Sequence, residues 1–304
     1  MTQYSGPSGG TTAVDLSRLP FPAVIETLNF ERIVEEMKAS LIALVPETAS
    51  VLQDESEVLV KLIQIWAYRE LNLRQRINDA AKAMTLPYAT GADLDVVAAP
   101  FATRMTITPA DPLTGTPAVM ESDSSLRERA MLGPEGFSVA GPAGAYVKLA
   151  REASPEVLDA SCTSPSAGTV LVSVLSRAEG GVADQALLDA VAAAVSSEDV
   201  RPLTDHVIVA SATIVPFEVE AVIRTFNGPD SEVVMSLARA RLDDHIARSY
   251  RLGRDITRAS IIAALCPDGV QDVELIKPQA SIGITPLQAA LCTGVSVTHG
   301  GLAE

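Results

Sequence analysis

Aromatic residues, cysteines and long apolar runs are all scarce in this 304-residue chain. Phe, Trp and Tyr make up 4% of it, so its cores must be built from small aliphatic side chains. Cys162, Cys266 and Cys292 are odd in number and far apart, which argues against a disulfide framework and for a reducing compartment. No apolar run approaches the roughly 18 to 20 residues that span a bilayer. Because the N-terminus also lacks the pattern of a secretory signal, we expect a protein made in a cytoplasm.

Positive charge is the next deficit. The formal net charge is −15, and no basic patch with interleaved aromatic residues is present. A chain of this charge repels phosphate backbones, so nucleic acid and membranes are not expected among its partners. The content of 47% hydrophobic and 20% charged residues is nevertheless that of an ordinary globular protein with two or three modest domains.

The most informative pattern is a long predicted helix at residues 57–86. At about 1.5 Å per residue it would extend roughly 45 Å, which is longer than a compact domain of ordinary size. Its stripe therefore needs another helix, which could belong to another chain or to residues 26–45 of an internal hairpin. Pattern alone leaves both readings open. Apolar residues recur along it at steps of three and four, as on one helix face: Leu59, Leu62, Ile63, Trp66, Leu73, Ile77, Ala80, Ala81 and Met84.

The predicted fold class is α+β, with long N-terminal helices forming a bundle and then two small ferredoxin-like sandwich units. A flexible arm is predicted at residues 1–20 and the helical region at 21–99. Repeated prolines make residues 100–140 an extended connector with a strand near 105–108 and one short helix. Alternating apolar residues, clearest at 169–176, then predict α+β units at 141–213 and 214–304.

No motif for catalysis, a cofactor or a metal is present in the sequence. The three histidines follow no metal-ligand spacing, and the cysteines lack the spacing of zinc or redox sites. Asp93, Asp95 and Asp123 could serve a hydrolase only as an enclosed carboxylate pair, which makes that reading a distant alternative. Asp93 is better explained as the N-cap of the following helical turn. We therefore predict no enzyme activity, no cofactor and no metal.

Five collinear strings carry a resemblance to a known family. AYRELNLRQRINDAAKAMTLPYATGADLDVVAA and PADPLTGTPAVMESDSSLRERAMLGPEGFSVAGPAGAYVKLA are followed by TSPSAGTVLVSVLSRAEGGV, SSEDVRPLTDHVIV and YRLGRDITRASIIAAL. Together they closely resemble the baseplate J-like family, the baseplate assembly protein J of contractile-tailed phages. The similarity covers about residues 25–298, in order and without large gaps.

This resemblance implies a structural wedge component of a contractile tail baseplate, located in the virion. Proteins similar to this one occur in two copies per wedge, and their N-terminal helices join a helix of a tail protein I partner in a three-chain bundle. Their C-terminal units pair into a ring around the central hub, which implies hub and sheath-initiator proteins as further neighbours. The same role in a headless particle, such as a phage-tail-like bacteriocin, is the alternative.

By this resemblance, the long helix supplies the seam of the bundle. Arg69, Arg74 and Arg76 could pair with carboxylates across the bundle, or form contacts within the helix with neighbours such as Glu70. Both readings stay open at this point. The predicted apolar seam residues are Leu59, Leu62, Ile63, Trp66, Leu73, Ile77, Ala80 and Met84.

Overall fold

A computed structural model of the chain describes residues 24–137, 141–197, 202, 204–227 and 230–303. The described residues form two compact units. The helical unit comprises the residues up to Arg104 together with Ser122–Ala130, and the sheet unit comprises Met105–Glu121 and the chain from Met131 onward. The predicted arm, residues 1–20, lies outside the described residues, and the five-part division of the sequence stays a prediction.

Helices make up the first unit. Asn29 starts its first helix by accepting a hydrogen bond from the backbone N–H of Arg32, and Pro46 follows its end. The long predicted helix is confirmed and ends three residues earlier than expected, ahead of Pro87. None of the described helices is both long and apolar enough to cross a bilayer. The helices are α1 (Phe30–Leu44), α2 (Val58–Ala83), α3 (Gly91–Ala98) and α4 (Asp123–Met131), with 3-10 turns at Pro46–Ala49 and Val51–Gln53.

The sheet unit opens with a small hairpin and a three-stranded sheet. In the sheet β4 lies in the centre, antiparallel to β3 and parallel to β5. Helices α5 and α6 cover one face through a core of small aliphatic residues such as Val172 and Val191. The elements are β1 (Thr106–Thr108), β2 (Val119–Met120), a 3-10 turn (Gly133–Phe137), α5 (Ala143–Ala153), β3 (Val157–Ser166), β4 (Thr169–Ser176), α6 (Gln185–Val195) and β5 (His206–Ser211).

A second three-stranded sheet completes the unit. Its central strand β6 pairs antiparallel with β7 and parallel with β8, and α7 and α8 pack on it around Ile223, Leu242 and Ile261. The chain is therefore α+β, as predicted. A ferredoxin-like sandwich is not confirmed, since each of these sheets has three strands. The elements are β6 (Thr213–Phe226), α7 (Ser231–Ser249), α8 (Arg258–Leu265), β7 (Val270–Lys277) and β8 (Gln288–Ala303).

A small junction joins the two sheets inside this unit. Leu175, Ala212 and Ala289 are buried together there, and Tyr250 packs against them. The Asp159 carboxylate accepts hydrogen bonds from the backbone N–H groups of Leu252 and Ala160. Burial raises the pKa of this carboxyl group. The junction thus combines an apolar centre with a buried acid.

Candidate interaction surface on the second helix

Helix α2 carries two separate apolar faces. On the first, Val60, Ile63 and Ala67 are buried, and they pack against Ile33 and Val34 of α1. The internal hairpin that the sequence left open is therefore present. Ile63 is only 8% exposed, so its predicted place in a seam with another chain gives way to a place in this core.

The second face of α2 is exposed, although it is largely apolar. Leu62 is 47% exposed and Trp66, the single tryptophan of the chain, is 61% exposed. Leu59 is half-buried at the edge of the hairpin core, and Ala80 is exposed. Large apolar side chains on a surface in a row of this length are typical of an interaction site. The further exposed members of the face are Leu73, Ile77 and Met84.

The three predicted arginines of α2 fall into two groups. Arg74 is half-buried, and its guanidinium lies 2.5 Å from the Glu70 carboxylate and 3.3 Å from that of Glu26. The hydrogen bond with Glu70 raises the pKa of Arg74. Arg69 and Arg76 are exposed, and neither pairs with any acid in the part of the chain that the structure describes. The contact within the helix is thus present for Arg74 only.

Two shallow grooves flank the exposed face. One, of about 540 Å³, has mostly apolar walls and is lined by Phe30, Lys61, Gln64, Ile65, Tyr68 and Arg69. The other, of about 480 Å³, lies between the end of α2 and α3. It is lined by Arg76, Asp79, Ala80, Ala83, Met84, Asp93, Val96 and Val97. Grooves with an apolar floor and charged rims are suited to receive the apolar face of a helix.

Asn78 is a buried polar residue of α2 that supports the site and that the sequence analysis missed. Its side chain is buried and accepts a hydrogen bond from the backbone N–H of Glu26 at 3.1 Å, while its amide donates to the Glu26 carbonyl at 2.9 Å. These two bonds hold the segment ahead of α1 against α2. The available signal was a polar residue on the face of α2 that is otherwise apolar.

Two of the three aspartates of the hydrolase alternative, Asp95 and Asp123, have structural partners, and Asp93 is exposed. Arg104 bridges Asp95, at 2.6 Å, and Asp123, at 2.7 Å. Asp123 also accepts a hydrogen bond from the backbone N–H of Gly91 at 2.9 Å, which lowers the pKa of its carboxyl group. A general acid needs the opposite shift. The expected N-cap at Asp93 is wrong, because Thr90 is the N-cap residue and Asp123 supplies the carboxylate at this helix start.

The described residues show no other cluster suited to chemistry. No group of three or more His, Cys, Asp or Glu side chains within them could hold a metal ion. Cys162 is buried, Cys292 is half-buried and Cys266 is exposed, and all three thiols are free. The exposed face of α2 is therefore the candidate site with the strongest geometric support.

Comparison with known proteins places this face in a known domain. The family model of the baseplate J-like N-terminal domain matches residues 55–111, and that of the baseplate J-like central domain matches residues 138–211. Baseplate protein J of Escherichia phage P2 is 48% identical over 299 residues, which is 96% of this chain and 99% of the phage P2 protein. The chain belongs to the baseplate protein J family. Its role is a structural one in the baseplate of a contractile tail, as part of the virion.

The J-like N-terminal domain includes the whole of α2 and α3, so both grooves and the exposed face lie within it or at its border. The J-like central domain corresponds to the first sheet of the second unit with its helices. Among solved structures, the baseplate of the anti-feeding prophage contains a chain that is 19% identical, with a TM-score of 0.39. The match covers 59% of this chain and 42% of that one.

Proposed function

We propose that this member of the baseplate protein J family acts as a wedge component whose exposed α2 face binds helices of other baseplate chains. The observation that carries the proposal is the split of α2 into two apolar faces. One face packs against α1 of the same chain. The other face carries Leu62 and Trp66, which are about half exposed to water. Burying a Leu-sized side chain from full exposure contributes about 1.5–3 kcal/mol, and about half of this remains to be gained at half-exposed Leu62 when a partner helix covers this face.

The predicted three-chain bundle belongs to this proposal. Two copies of the chain would contribute their α2 helices, and a tail protein I homologue would contribute the third helix. The predicted units at residues 141–213 and 214–304 would supply contacts between copies around the hub, with hub and sheath-initiator proteins as further neighbours. Family membership supports this arrangement, since baseplate function requires contacts with several chains.

The role we propose is non-enzymatic, without cofactor, nucleic acid or membrane as a partner. The pairing of Asp95 and Asp123 with Arg104 supports it, because it leaves these carboxylates in a salt bridge. Assembly would take place in the cytoplasm of the host before release of the particle. A headless contractile particle would use the chain in the same way.

The test compares substitutions on the exposed face of α2 with a substitution on its buried face. Co-expressed with the tail protein I homologue of the same genome, the wild-type chain is expected to form a complex of two copies to one, measured by size-exclusion chromatography with light scattering. A Leu62→Asp, Trp66→Asp double variant should fold but form no complex, because both residues are exposed in the free chain.

Ile63→Asp is the matched contrast, since it should unfold the α1–α2 hairpin by placing a charge in its core. Circular dichroism separates the two outcomes. A folded double variant that still forms the complex would place the partner elsewhere and refute the proposed use of this face.

A further inference from the structure

Six residues on the exposed face of α2 follow a heptad spacing, and Ile77 and Met84 of the same face lie outside this series. Successive members are separated by four, three, four, three and four residues, which is the spacing of the two core positions of a coiled coil. On the buried face of the same helix, Leu71 still packs against the hairpin core, and half-buried Arg74 and buried Asn78 follow it. The heptad members are Leu62, Trp66, Arg69, Leu73, Arg76 and Ala80.

Arginine occupies two equivalent positions of this heptad. Arg69 and Arg76 are seven residues apart, which is about 10.5 Å along the helix axis, and both point from the exposed face. Neither makes an ion pair within the described residues, whereas Arg74, off this face, is paired with Glu70 and Glu26. The two arginines thus lie beside the apolar residues of this face, one in the wall of each groove, with their charge available to a partner.

A seam that closes over these side chains must neutralise them. Removing a guanidinium from water without an opposite charge costs several kcal/mol, and a planar guanidinium is best satisfied by a carboxylate that accepts two hydrogen bonds. Carboxylates facing Arg69 and Arg76 would therefore lie seven residues apart on the partner helix. The flanking Leu62, Trp66 and Leu73 would keep these pairs away from solvent and strengthen them.

A second copy of α2 does not offer this complement. In a parallel, in-register pair, Arg69 would face Arg69 and Arg76 would face Arg76. The two carboxylates of the α2 range, Glu70 and Asp79, lie off the heptad face. Glu70 is bound by Arg74, and Asp79 accepts a hydrogen bond from Gln75 at 2.8 Å. Charge complementarity therefore excludes a copy of this helix as the sole occupant.

We propose that Arg69 and Arg76 select the partner, a helix of a different protein with an apolar stripe and two carboxylates seven residues apart. This rests on the proposed function, because it names the chemistry of the helix that binds the same face. The arginines act as specificity residues, and the apolar positions supply the contact area.

The direct test uses two synthetic 28-residue helical peptides without tryptophan. Both carry leucine at the heptad core, and the two positions facing the arginines are Glu in one peptide and Lys in the other. Fluorescence of the single tryptophan, Trp66, reports binding to the full chain. The wild-type chain is expected to bind the Glu peptide at least about 30-fold more tightly, as for a buried charge pair. The Arg69→Glu, Arg76→Glu chain should invert this preference.

The same double reversal should weaken the complex with the tail protein I homologue by about 30-fold or more. Arg241→Glu, at an exposed position of α7, changes the net charge in the same direction and should leave it unchanged. If the double reversal has no effect while Leu62→Asp, Trp66→Asp abolishes the complex, the proposed function stands and the acidic partner is refuted. If the reversal instead strengthens association of the chain with itself, a second copy is the occupant and the inference fails.

Discussion

At the residue scale, buried polar side chains contribute information that hydrophobic periodicity does not. Asn78 was counted in no stripe, although its position among apolar residues of α2 marks it as a residue with specific partners. Its partner, the backbone of Glu26, lies 52 residues away. Sequence reasoning could not identify it, because a side-chain amide bonds any backbone group that tertiary packing brings near.

We expect Asn78→Ala to reduce the free energy of unfolding by about 1–3 kcal/mol, since it leaves the backbone groups of Glu26 without partners. Urea denaturation measures the change, and hydrogen exchange should become faster at Glu26. Asn72→Ala is the matched control, as Asn72 is exposed on the same helix. Equal effects of both variants would show that the bonds to Glu26 contribute little.

Substitutions at two adjacent glycines distinguish the cost of backbone strain from the cost of side-chain overlap. Gly180 and Gly181 both have positive φ, 82° and 74°. A Cβ at Gly180 would meet nothing, whereas a Cβ at Gly181 would overlap the hydroxyl of Tyr250. Gly180→Ala should therefore cost about 1–2 kcal/mol of stability from the left-handed backbone alone.

Gly181→Ala is expected to reduce the free energy of unfolding clearly more than Gly180→Ala does. Combining Gly181→Ala with Tyr250→Phe should recover part of that difference, because it removes the overlapping hydroxyl. Within the described residues the buried Tyr250 hydroxyl has no hydrogen-bond partner, so its removal alone should not destabilise the chain. Thermal or urea unfolding of the four variants provides the comparison. Equal losses at positions 180 and 181 would contradict the placement of Tyr250.

The thiols should differ in reactivity according to burial. Burial raises the pKa of the Cys162 thiol to about 11, with a further contribution from Asp205. At pH 8, iodoacetamide should modify exposed Cys266 and leave Cys162 intact until the chain unfolds, as read by peptide mass spectrometry. Because the native pKa lies above the unfolded value of 9.0, the protonated thiol stabilises the fold below pH 9. That contribution is lost as the pH rises through about 11.

At the element scale, periodicity predicted where helices and strands lie better than which faces they bury. The strand indicated at 169–176 is confirmed at both ends. In α2, apolar residues occupy two faces, so the stripe taken as one was in fact divided between Ile63 and its neighbour Leu62. The position of α1 decides which face of α2 is buried. The hydrophobic periodicity of either helix alone does not predict how the two helices pack together.

Strand pairing shows the same limit. The last strand, β8, runs over Gln288–Ala303 because it pairs in parallel along the whole of β6. Its glycines and small residues weaken the local signal for a strand. Long-range backbone hydrogen bonds thus supply what the local sequence does not.

The start of α3 allows a test of pH dependence. Hydrogen bonding from the Gly91 backbone N–H, and then the nearby Arg104, lowers the pKa of Asp123 below its ordinary 3.8. A lowered native pKa means that the carboxylate stabilises the fold above pH 3.8 and that this is lost as the pH falls through the native value. Asp123→Asn should therefore be destabilising at neutral pH.

The stability difference between wild type and Asp123→Asn should shrink as the pH falls below 3.8. Urea titrations of both proteins at several pH values measure it, with Asp93→Asn, at an exposed carboxylate in the first turn of α3, as the control. A difference that is independent of pH would show that the Asp123 charge is not what holds this helix start.

At the scale of the whole molecule, the family was predictable because five strings matched in order, and identity of 48% to the phage P2 protein confirms it. The composition alone indicated only an acidic globular protein. The structure adds that one helix carries the exposed apolar face and two arginines that form no ion pair with any described residue. The number of chains that meet there depends on partners, which a single sequence does not contain.

A photo-crosslink at position 66 in assembled tail particles tests most directly whether the exposed α2 face binds a helix of another baseplate protein. A benzophenone amino acid replaces Trp66, and mass spectrometry identifies the peptides attached to it after irradiation. We expect a crosslink to a helix of a different baseplate protein, with carboxylates spaced seven residues apart in or beside the attached peptide. Attachment only to peptides of this protein, in particles that assemble normally, would contradict the assignment of the exposed α2 face to a helix of a different protein.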